Sequence, residues 1–146
     1  MFEKILIAYD GSVGAERALE KAAALARMTG ASLTVLTVYR HHSMLEASLS
    51  MVRGTNEPGH LDDTMRSAAR DAADYAKSHA KDAGVASVSA FIKAGQPART
   101  IIGFAKEKGH DLIVVGSRGL GSTEGYLLGS VSHKVTSLAD CPVMVV

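Results

Sequence analysis

Short runs of consecutive apolar residues, separated by helix-length segments, constrain this chain more than any other feature. Ile5-Leu6-Ile7-Ala8-Tyr9, Leu33 to Val38, Leu112 to Val115 and Val143 to Val146 are apolar at nearly every position. A strand of that kind needs cover on both faces of its sheet. Between these runs the period changes. Ala15, Ala18, Leu19, Ala22, Leu25 and Ala26 recur at helical spacing, Ser12 stands where a helix cap belongs, and Gly30 ends the segment. A long alanine-rich helix is expected over 61–83, stopped by Gly84, with a third strand from Val85 to Ile92. Gly95-Gln96-Pro97 is a turn that opens a helix through Ala98, Ile101, Ile102 and Ala105, and a last helix is expected from about Ser130 to Ala139.

The order is strand then helix, four times, then a closing strand. Such alternation predicts an α/β fold: a parallel sheet with right-handed crossovers and helices on both faces. Sheets of this class bind ligands beyond the carboxyl ends of their strands, where strand order reverses. Asp10, Val38 and Gly116 all fall on that rim.

Composition narrows the function classes. A chain of 146 residues suits one domain, 1–146, with one sizeable core. The net charge of +1 gives no global attraction to nucleic acid or to an anionic membrane. Three Phe, four Tyr and no Trp make a poor stacking platform for single strands. No apolar run approaches the ~20 residues that span a bilayer, and Met1-Phe2-Glu3-Lys4 has no signal-peptide pattern. The lone cysteine, Cys141, forms no internal disulfide; it is expected to be a small buried residue in a reducing cytoplasm. His41, His42, His60, His79, His110 and His133 show no metal-ligand spacing. Residues 40–60 read as a long loop, and Met44, Met51 and Met65 are candidates for a partner surface.

The segment Gly116-Ser117-Arg118-Gly119, with Gly129-Ser130 beyond it, directly follows the fourth strand. Glycines let a backbone approach phosphate closely, and the next helix offers unpaired N–H groups and partial positive charge. Familiar phosphate motifs do not fit. There is no Gly-Lys pair for a Walker loop, and Glu124 stands where the dinucleotide fingerprint needs glycine. On spacing alone the segment is a different phosphate site or ordinary loop punctuation.

The ordered set of motifs resembles the universal stress protein family over essentially the whole chain. Gly116-x2-Gly119-x9-Gly129-Ser130 is similar to its ATP-binding signature. Lys4 to Ser12 resembles its opening strand and acidic turn, and Leu128-Gly-Ser-Val131 and Cys141 to Val146 resemble its closing helix and strand. The resemblance implies a Rossmann-like, doubly wound five-stranded sheet in the order 3-2-1-4-5. It implies that Asp10 contacts the nucleoside at the ribose, that Ala8 lines the adenine side, and that Val38 backbone groups read the adenine edge. Gly116, Gly119, Gly129 and Ser130 would cradle the phosphates, with Arg118 and the Val131 N–H nearby, and Mg²⁺ would accompany ATP. Local readings compete: Asp10 as a turn cap, Arg118 as a solvated side chain, Ser130 as the helix N-cap.

The same resemblance implies a homodimer paired through the edge strand 143–146, because an apolar edge left open invites aggregation. It also implies a client protein that reads the bound state. No catalytic constellation stands out, and nothing places Glu124 or His133 beside a γ-phosphate. The leading reading is a nucleotide-dependent stress-response module with at most slow hydrolysis. The alternatives are a true ATPase or nucleotidyl transferase, or an interaction protein that binds AMP, cyclic AMP or no nucleotide.

Overall fold

Every apolar run becomes a strand. The structure, a computed structural model, describes residues 1–40, 58–118 and 128–146, with side chains in the second stretch from residue 62 onward. In chain order the elements are β1 (Lys4–Ala8), α1 (Val13–Thr29), β2 (Ser32–Tyr39), α2 (Pro58–Asp82), β3 (Val88–Ala94), α3 (Pro97–Lys108), β4 (Leu112–Val115), α4 (Ser130–Leu138) and β5 (Val143–Val145). All strand pairs are parallel, in the order β3-β2-β1-β4-β5. The strand order reverses between β1 and β4, so the rim above those two strands is the switch point.

Helices cover both faces, as a doubly wound sheet requires. Ile5, Ile7, Leu33 and Val35 pack with the alanines of α1 and α2 on one face; Leu6, Leu36 and Ile113 pack with α3 and α4 on the other. Ile5, Leu6 and Ile7 are each 0% exposed, which is why their run shows no polar alternation. Ala73, Ala76 and Ala80 are fully buried. The alanine stripe of α2 is therefore a close helix–sheet contact. Met65 is half-buried, while Met44, Met51, His41 and His42 lie outside the described residues.

Two sequence expectations are corrected here. Strand three begins at Val88, not Val85. Val85 closes α2 instead: its N–H reaches back to the Ala80 carbonyl (3.2 Å) after Gly84 turns left-handed (φ 99°), and its side chain folds into the core. That is the hydrophobic contact of a Schellman cap. Cys141 is only half-buried, because it leads into an edge strand. The last helix does start at Ser130, as expected; its N-cap is Gly129, so the competing reading of Ser130 as the N-cap does not hold.

The same cap geometry explains a buried histidine. The His110 N–H reaches the Ala105 carbonyl (2.9 Å) beyond left-handed Gly109, and the ring packs on Phe104 with centroids 5.8 Å apart. His110 is 7% exposed, and among the described residues neither ring nitrogen completes a hydrogen bond. Burial holds its pKa below the ordinary value of 6.5, and Lys4 adds to the shift; the Ala105 carbonyl and Asp111 oppose it. A lowered folded-state pKa means the unfolded chain takes up the proton first. Stability is therefore full above about pH 6.5 and is lost as pH falls through the folded-state value. His110→Leu is expected to flatten the stability profile between neutral and mildly acidic pH. Denaturant melts of both proteins across that range check this, and parallel profiles would remove His110 as the cause.

Candidate functional site

The carboxyl ends of β1, β2 and β4 open onto a cleft of about 310 Å³ at the switch point. Its volume is within the usual range for small-molecule sites. One wall is apolar: Ala8, Leu36, Val38, Pro97, Ile101 and Val115. Ala8, Leu36, Val38, Ile101 and Val115 belong to the α3–α4 side of the sheet, so the wall extends an existing core. Pro97 reaches it because Gln96 caps α3, accepting from the Arg99 N–H (3.1 Å), with Pro97 in the first turn.

The other wall is built from backbone. Asp10 accepts from the Ser12 N–H (2.9 Å), and Ser12 in turn accepts from the Ala15 N–H (3.1 Å), starting α1. Gly11 between them has φ 83°, a conformation that favours glycine. Tyr9 lines the cleft with its backbone neighbours but is 3% exposed, and its hydroxyl donates to Glu16. Burial and Glu16 hold that phenol protonated.

Across the cleft, Ser117 is a junction. Its N–H donates to the Val146 carbonyl (2.8 Å), and its carbonyl accepts from the Gly129 N–H (2.7 Å) and the Ser132 hydroxyl (2.8 Å). These bonds aim the first turn of α4 at the cleft, where Gly129, Ser130, Val131 and Ser132 line it. Glycine at the N-cap brings no side-chain cap. Among the described residues no side-chain oxygen caps the leading N–H groups of α4, whose first turn lines the cleft, a ready seat for an anion. Among the described residues, the charged groups in the lining are Arg40, Arg118 and Asp10.

Of the residues singled out from sequence, Ala8, Asp10, Val38, Gly116, Arg118, Gly129, Ser130 and Val131 all line this cleft. Gly119 and Glu124 lie outside the described residues. His133 is exposed and is not in the lining. Asp10 does cap its turn, as the local reading expected; capping engages one oxygen and leaves the residue in the cleft.

Sequence reasoning missed Arg40 and Gly14. Arg40 carried a signal, since it directly follows β2 on the ligand rim. Gly14 carried none. A Cβ there would collide with the Arg118 carbonyl oxygen, and one on Gly116 would lie 2.7 Å from the Gly14 carbonyl carbon. The first turn of α1 and the Gly116–Arg118 stretch touch backbone to backbone.

Comparison with known proteins places this architecture. The model of the universal stress protein family matches residues 1–146. The chain belongs to the universal stress protein family. It is 39% identical over 150 residues to universal stress protein YxiE of Bacillus subtilis, covering 100% of this chain and 99% of that one. Among solved structures it resembles universal stress protein UspA from Lactobacillus plantarum, with a TM-score of 0.86 and 28% identity over 99% of this chain and 97% of that one. A universal stress protein crystallised in complex with cAMP superposes with a TM-score of 0.70 at 25% identity, over 99% of this chain and 96% of that one. Within this universal stress protein chain, no helix among the described residues is long and apolar enough to cross a membrane.

Proposed function

We propose that this universal stress protein is a cytoplasmic, ATP-binding regulatory module of the stress response. The observation that carries the reading is the meeting, in one cleft, of an apolar wall with an uncapped helix N-terminus and a guanidinium. A purine suits the first and a polyphosphate the second. The related protein in complex with cAMP supports an adenine ligand.

In this reading Ala8 and Val38 border the adenine and Asp10 takes the ribose. Gly116, Gly119, Gly129 and Ser130 surround the phosphates, with the Val131 N–H and Arg118. ATP is preferred over a single phosphate because α4 offers several N–H donors and Arg118 adds charge. Among the described residues no group of three or more His, Cys, Asp or Glu could hold a metal. In this reading Mg²⁺ arrives with the nucleotide, held by phosphate oxygens and water, with Asp10 a carboxylate in the cleft lining. Hydrolysis is at most slow in this reading; of the two groups considered for it, His133 is not in the cleft lining and Glu124 lies outside the described residues. A client protein reads the bound state.

Isothermal titration of nucleotide-stripped protein with Mg·ATP, against AMP, cyclic AMP and GTP, tests this. Preferential micromolar binding of ATP is expected. Tighter binding of AMP or cyclic AMP would change the ligand, and binding of none would leave an interaction protein.

The homodimer belongs to the same proposal. β5 lies at the sheet edge, beside β4, with Val143, Met144 and Val145 each half-buried. An apolar edge of this kind is served by pairing with the same strand of a second copy. Val145→Lys should shift the protein toward monomer in light scattering. If the variant stays dimeric, the contact lies elsewhere.

A further inference from the structure

Arg40 is the cleft-lining cation that the phosphate reading does not use. It follows β2, and side chains along a strand alternate between faces. Leu36 is buried in the α3–α4 core, Val38 packs against that core, and Arg40 is next in the same series. Arg40, one residue beyond β2, lines the same cleft as Ala8 and Val38. Arg40 is exposed, and no hydrogen bond or ion pair engages it among the described residues. Arg118 enters from the other side, after β4, beside the first turn of α4. The two cations thus follow strands on either side of β1, Arg40 after β2 and Arg118 after β4.

We propose that Arg40 is a base-capping residue: its guanidinium lies flat over the outer face of the bound nucleobase, whose inner face rests on Ala8 and Val38. A planar, weakly hydrated guanidinium stacks on aromatic rings in this way, and its methylene stem covers apolar surface. The inference rests on the adenine-nucleotide reading above and deepens it, because it assigns the recognition of the base to a residue separate from the recognition of phosphate. A stacked cation grips any purine, so Arg40 adds affinity without choosing between adenine and guanine.

The test compares Mg·ATP, Mg·GTP and inorganic tripolyphosphate on the wild type, Arg40→Ala, Arg40→Lys and Arg118→Ala, by isothermal titration. Arg40→Ala should weaken ATP and GTP by the same factor, about 2- to 30-fold, and leave tripolyphosphate unchanged. Arg40→Lys should recover only part of the loss, because an ammonium keeps the charge but not the plane. Arg118→Ala should weaken all three ligands together.

Three results overturn the proposal. Equal loss of ATP and tripolyphosphate in Arg40→Ala makes Arg40 a phosphate residue. A changed ratio of ATP to GTP makes it a reader of the base edge. No change in any ligand removes it from the site. A wild type that fails to bind ATP fails before any variant is compared, and it overturns the nucleotide reading and this one with it.

Discussion

Gly116→Ala is expected to destabilise the fold by about 1–3 kcal/mol and to abolish nucleotide binding. The methyl group would lie 2.7 Å from the Gly14 carbonyl carbon, 2.8 Å from its oxygen and 3.1 Å from the Ala15 nitrogen. All three are backbone atoms, so no rotamer change relieves the overlap. Neither side can retreat cheaply. Gly14 is in the first turn of α1, which is held by the Ser12 hydroxyl on the Ala15 N–H. Gly116 is flanked by ladder bonds: the Val146 N–H donates to the Val115 carbonyl (2.9 Å), and the Ser117 N–H donates to that of Val146 (2.8 Å). Displacing Ser117 also displaces the acceptor of the Gly129 and Ser132 bonds, and with it the aim of α4. Denaturant unfolding measures the first effect and ATP titration the second. Wild-type stability in the variant would mean that the two backbones separate easily and that their contact does not hold the site.

That contact marks the limit of what one sequence discloses. The strands were legible because burial on both faces writes an unbroken apolar run, as in Ile5-Leu6-Ile7. The rim was legible because topology follows from alternation, and topology puts Asp10, Val38 and Gly116 above the switch point. Eight of the nine residues named from the sequence line one cleft, and Gly119 lies outside the described residues. Gly14 was illegible. It sits near the start of an amphipathic helix, where a glycine reads as weak propensity, and its partner is a carbonyl far along the chain. Val85 misled because an apolar residue before a strand looks like its first residue. Only the left-handed turn at Gly84 shows that it closes the preceding helix. Ser130 carried two readings, a phosphate contact and the N-cap of α4. Serine is a common N-cap, but here the cap is the glycine before it, and the exchange of serine for glycine is what leaves the donors of α4 open.

Gly129→Asp should separate binding from stability, which Gly116→Ala cannot do. Gly129 has φ −62° and ψ 160°, an extended conformation that any residue adopts, so the backbone accepts the change. Aspartate is among the best N-cap residues, and its carboxylate would accept from the Val131 or Ser132 N–H. Helix α4 should gain a few tenths of a kcal/mol, or nothing, relative to the glycine cap. Binding should suffer severely. The new carboxylate takes the donors that a phosphate would use, cancels the partial positive charge of the helix end, and adds like-charge repulsion. Together these should weaken ATP by about two orders of magnitude. Gly129→Ser supplies the contrast, because a neutral hydroxyl fills the same cap without the charge and should cost much less. Thermal melts and ATP titrations of both variants give the answer. If the aspartate variant binds ATP as well as the wild type, the phosphates do not sit on α4. If it melts well below the wild type, the loss of binding says nothing about the cap, and the serine variant then decides.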